Sequence, residues 1–209
     1  MTSTSYPLTV VDLYRNAREL LRSEDYGLLV AEDGYLLLQR GAPPEVNVKL
    51  PDSFYSFTRG RPADIAHPAS VNFGHDLELV GWNWRFLPSV GGDNRPLTLT
   101  LWWRPQRALP YDYQFPLFFT REDGAIVYVY NEGTATTIWK SPHNWEPGEL
   151  VRMETPVLAV GGLKDVLVAV VRPGQDVWDV GARLPISFGA EANDILDGGT
   201  LYRAFSLPR

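Results

Sequence analysis

The side chains in this chain best suited to chemistry are its seven tryptophans, and the chemistry they suit is binding. An exposed indole can stack on the apolar face of a sugar ring while nearby Asn, Asp or Arg groups bond the hydroxyls, because the ring joins a flat apolar body to a polar N–H. The candidates are Trp82, Trp84, Trp102, Trp139, Trp145 and Trp178, with Asn144 as a polar partner. Trp82 and Trp84 are two apart on an expected strand and share a face. Trp102 falls opposite Leu97, Leu99, Leu101 and Trp103. Trp139 and Trp145 flank a loop containing His143 and Asn144, and Trp178 lies in the turn-rich segment Asp176–Asp179. The competing use of the same residues is as plugs between packed sheets, the commoner fate of large aromatics, and Trp103 belongs with those. Gly81 is placed to form a bulge that reverses the alternation after it, so the face taken by Trp82 and Trp84 stays open at this point.

Catalytic constellations are weaker. Asp76 and Glu78 are two apart on an expected strand, so their carboxylates fall on one face, about 7 Å apart along it. That separation suits the acid and base of glycoside hydrolysis, which stand roughly 5–5.5 Å or 6.5–9.5 Å apart. A solvated strand face accounts for the same pair and is the preferred reading. The histidines are His67, His75 and His143, and none has the spacing of a metal ligand pair. His75 reads as a turn residue rather than an acid–base partner of Asp76. The acidic stretch 191–197 offers hard oxygens of the kind Ca²⁺ prefers, but it lacks the regular ligand ladder and reads as an Asx-rich turn. No nucleophile elbow, phosphate-cradling loop or dinucleotide fingerprint is present. With no cysteine, a thiolate metal site, a disulfide framework and a cysteine nucleophile are excluded. The sequence therefore assigns no catalytic residue, metal or cofactor.

The elements that must position these residues are mostly strands. Leu97-Thr-Leu-Thr-Leu-Trp-Trp103 alternates with period two, which buries one face only if the backbone is extended. Similar runs are Val71–Leu79, Gly81–Phe86, Tyr113–Thr120, Ala125–Tyr130, Leu150–Leu158, Val166–Val171 and Thr200–Leu207, punctuated by turns such as Gly91-Gly-Asp-Asn94, Pro147-Gly148 and Pro173-Gly174. Pro116 marks its run as bulged or at an edge. The expected fold is mainly β, an antiparallel β-sandwich of jelly-roll or immunoglobulin-like type. A small α+β segment precedes it: a helix over Thr9–Ser23, capped by Thr9, then a hairpin turning at Asp33-Gly34. Leu36, Leu37 and Leu38 in a row predict cover on both faces of that hairpin. The domain reading is a helix–hairpin segment over 1–41, a Pro-rich linker packed on the surface over 42–69, with Pro43, Pro44 and the anchors Phe54, Tyr55 and Phe57, and the sandwich over 70–209. A net charge of −6 with scattered Lys and Arg excludes a nucleic-acid surface, and Arg15, Arg18 and Arg22 at helical spacing form a solvated face. No signal peptide and no membrane-length apolar run are read, so the given chain is expected to be soluble.

Two blocks carry a family resemblance. The stretch from Asp25 to Gly41 resembles the end of the membrane-embedded part of an uncharacterised bacterial family of predicted multi-pass membrane proteins, whose membrane half is similar to lipid-linked-sugar glycosyltransferases. The stretches Val71–Gly81, Leu97–Trp103, Trp145–Glu149 and Arg183-Leu-Pro185 resemble the β-sandwich appended to such proteins. The resemblance implies an extracytoplasmic accessory domain cut from a larger membrane protein, without catalytic residues of its own, with a saccharide or the membrane portion of the same protein as partner. Phe118, Val129 and Asn131 stand where such sandwiches often carry His, Gln and Asp, which implies that a polar site there is absent or altered. Two rival functions remain: a purely structural or self-association domain without ligand, and a glycoside hydrolase-type enzyme using Asp76 and Glu78.

Overall fold

The computed structural model describes residues 10–41, 50–88, 95–189 and 192–207. The expected Thr9 cap, Pro43 and Pro44, the Gly91–Asn94 turn and Glu191 lie outside the described residues. The chain divides into two compact units, residues 1–58 and 59–209. No helix among the described residues is long and apolar enough to cross a membrane.

In the first unit α1 (Val10–Arg22) precedes an antiparallel hairpin of β1 (Tyr26–Glu32) and β2 (Tyr35–Arg40). Asp33 and Gly34 take φ of 45° and 79°, the pair of positive angles a two-residue type I′ turn requires. A 3-10 helix, Asp52–Thr58, docks on this turn. The Asp33 and Gly34 N–H groups donate to the Ser53 and Phe54 carbonyls at 3.0 and 2.8 Å, and the Ser56 hydroxyl donates to Asp33 at 2.6 Å. Phe57 lies so close that a Cβ on Gly34 would stand 2.9 Å from its ring. Cover of the hairpin is one-sided, against the expectation from its leucine run. Leu28, Leu36 and Leu38 are partly buried, whereas Val30, Tyr35 and Leu37 are exposed. The physical reason is the period of two: Leu37 must point away from both its neighbours, and among the described residues of this unit nothing covers that side.

The second unit contains β3 (His67–Phe73), β4 (Leu77–Phe86), β5 (Pro96–Pro105), β6 (Leu117–Thr120), β7 (Ile126–Tyr130), β8 (Val151–Glu154), β9 (Leu158–Ala159), β10 (Asp165–Val168), β11 (Ile186–Phe188), β12 (Ile195–Leu196) and β13 (Leu201–Ser206). They form two antiparallel sheets, ordered β11-β3-β4-β5-β8, with β9 also on β5, and β12-β13-β10-β6-β7. One core joins them: Phe73, Leu79, Leu99 and Trp103 from the first sheet meet Leu117, Phe119, Val166 and Val168 from the second. This is an antiparallel β-sandwich. β10 is buried on both sides, because Leu167 packs outward into a second apolar cluster with Phe118, Ala169 and Leu201. The expected linker 42–69 holds the 3-10 helix Asp52–Thr58 and another at Pro62–Asp64, and β3 begins within it at His67.

The run Val71–Leu79 is not one strand. It breaks at Gly74 and His75, with φ of 62° and 61°, and the Asp76 N–H donates to the Phe73 carbonyl at 3.1 Å to close the hairpin. His75 is thus a turn residue, as read from the sequence, and it is the strand reading of the whole run that the turn overturns. Gly81 marks the expected bulge. Pairing of β4 with β5 slips between Leu79 and Gly81, so Leu79 and Trp82, three apart, both face the core. A side chain at Gly81 would place its Cβ 2.4 Å from the His67 carbonyl oxygen. The short helix α2 (Ala135–Trp139) is set by a capping box, in which the Thr134 and Thr137 side chains each accept the other's backbone N–H, at 3.4 and 3.0 Å. Such a pair satisfies donors otherwise orphaned at a helix start.

Candidate functional site

The outer face of the five-stranded sheet presents Phe118 on β6 and Leu167 on β10, and two loops lie over it. Arg183 fastens them. Its side chain is 1% exposed, its Nε donates to the Val177 carbonyl at 2.8 Å, and its guanidinium lies 4.8 Å over the Phe118 ring. It also pairs with the Asp197 carboxylate. A buried cation needs such a counter-charge, and stacking over a desolvated ring adds attraction. The same residue thus holds the loop before it and the turn after it against one ring.

The loop itself is braced from within. Asp176 Oδ1 accepts the Trp178 N–H at 3.0 Å, Asp179 Oδ1 accepts the Gly181 N–H at 2.8 Å, and Arg172 donates to the Gly181 carbonyl at 3.0 Å. These two Asx turns fix the backbone on both sides of Trp178. The indole meets Phe118 edge-on, with centroids 5.6 Å apart and planes at 79°, and remains 53% exposed. Phe118 pairs with Val129 across β6 and β7. The apolar residues at these positions, where the family resemblance leads one to expect polar groups, therefore form the seat of the loop that carries Trp178.

The other expected binding residues are scattered, and most are not available to a ligand. Trp82 is 8% exposed in the inter-sheet core, and Trp84, part-buried on the same face, stacks on His67 at 4.2 Å and on Phe205 at 4.7 Å. The bulge at Gly81 turns both inward. Trp102 does fall on the outer face of its sheet, as its alternation predicts, yet it is only 2% exposed. Gly60 crosses it so closely that a Cβ there would stand 2.6 Å from the indole. Trp145 is also 2% exposed; it donates its N–H to the Lys140 carbonyl at 2.9 Å and stacks on Phe115 at 5.4 Å. Trp139 is part-buried at the end of α2, and Asn144 is exposed in the 3-10 helix Pro142–Asn144. Trp178 is the one exposed indole among the described tryptophans.

Asp76 and Glu78 do not share a solvated face. Asp76 belongs to the β3–β4 turn and is buried; it accepts from Tyr113 Oη at 2.7 Å and from Arg107 Nε at 2.5 Å. Burial, reinforced by the hydrogen bond to Asp76, pushes the Tyr113 hydroxyl well above the usual tyrosine range. Glu78 accepts from Ser70 at 2.8 Å, Arg104 at 3.0 Å and Gln106 at 2.9 Å. Both carboxylates are thus committed to structural partners. In the acidic stretch, Asp197 pairs with Arg183 and Asp194 stands 4.0 Å from Arg203. Among the described residues no three His, Asp or Glu groups converge as metal ligands.

One acid–base pair was not foreseen. Asp112 Oδ1 accepts the backbone N–H of His143 at 3.2 Å and lies 2.5 Å from its Nδ1, with both side chains about half exposed. Thirty-one positions separate the two, so no local spacing marks them. Asp112 serves first as an anchor for the 3-10 turn through the backbone bond. A comparison of the chain with protein-family models, with curated proteins and with solved structures found no match in any of the three.

Proposed function

We propose that this protein is a non-catalytic binding module that contacts saccharide through the Trp178 loop, and that it serves as an extracytoplasmic accessory domain beside the membrane portion of a larger protein. The observation that carries the reading is a large indole held outward on a braced backbone. Exposing so large an apolar group is costly unless something covers it, and fixing it in advance lowers the entropy lost on binding. The family resemblance supports the membrane context, and the commitment of Asp76 and Glu78 to arginine and tyrosine partners favours a binding role over hydrolysis.

Isothermal titration against a panel of bacterial saccharides tests this. Heat of binding in the wild type, lost in Trp178→Ala with the fold retained, is the expected result. Silence of the wild type across the panel overturns it. A second reading, self-association, is favoured by the hairpin, whose Val30, Tyr35 and Leu37 stand exposed together. Analytical ultracentrifugation of wild type and Leu37→Glu decides it: a concentration-dependent dimer dissolved by the substitution supports it, and a monomer at all concentrations refutes it.

A further inference from the structure

We draw no further inference here: the strongest candidate, the edge strand β7 with its exposed Val127 and Tyr128 at the margin of the five-stranded sheet, carries at Val127 a bulge of the kind that blunts an edge against pairing, and nothing in the structure shows what covers it.

Discussion

Trp102 and Trp178 both lie on the outer face of a sheet or of the loop resting on it, and they meet opposite fates. On the six-stranded sheet, Gly60 crosses Trp102 without a side chain, its N–H donates to the Leu150 carbonyl at 2.8 Å, and Arg59 bridges to Val151. Asn83 fastens the same segment further along, accepting from the Ala66 N–H at 2.6 Å and donating to the Asp64 carbonyl at 2.8 Å. On the five-stranded sheet the covering loop carries its own large aromatic and turns it outward. In one case the cover is made of the smallest residue and the indole is sealed beneath it. In the other the cover is seated on Phe118 and Arg183, and the indole rides on top. Exposure of a tryptophan here is decided by the segment that crosses it, which comes from a distant part of the chain.

The contrast can be broken most severely at its anchor. Asp197→Asn leaves the buried Arg183 guanidinium without its counter-charge and should lower stability by about 3 kcal/mol, read from urea unfolding; a loss under about 1 kcal/mol would make the pair incidental. Next is the sealed side. Gly60→Val forces a side chain into Trp102 and should cost about 2 kcal/mol, with a rise in acrylamide quenching as that indole is uncovered. An unchanged quenching profile would mean that Gly60 is not the lid.

A smaller effect separates whole-fold stability from either face. Tyr113 holds its proton more tightly in the folded state than in the unfolded one, so its contribution is fully present below about pH 10 and is lost as pH rises beyond that toward its folded value. Tyr113→Phe should cost about 1 kcal/mol at neutral pH and flatten the alkaline decline, which denaturation at a series of pH values would reveal. An unaltered slope would place the decline elsewhere. Smallest of all in stability is Trp178→Phe, within about 0.5 kcal/mol of wild type. It should nevertheless remove the most readily quenched component of the fluorescence, whereas Trp102→Phe should leave that component intact.

Much of the sandwich is legible from alternation alone. Leu97–Trp103 lies inside β5, Ala125–Tyr130 covers β7, and Thr200–Leu207 contains β13. Each is a run in which period-two patterning and turn residues agree. Pattern fails where a single strand-like run conceals a turn, as Val71–Leu79 does at Gly74 and His75, or where a proline divides a run, as Pro156 does between β8 and β9. The candidate site is less legible for a further reason. Alternation places Trp102 on the correct face, but no local signal tells that Gly60 lies across it. Likewise the pairs Arg183–Asp197 and Asp112–His143 arise from topology, and their spacing in the chain is arbitrary.

The order β12-β13-β10-β6-β7 has a consequence for how the molecule comes to exist. The last long strand, Leu201–Ser206, is inserted between two others and is not added at a margin. Until it emerges from the ribosome, β10 has an open flank of unsatisfied amides and carbonyls and its apolar side chains lack a lid. Synthesis from the N-terminus therefore leaves the nascent second unit with an adhesive, unpaired edge on β10 until its closing segment slides in.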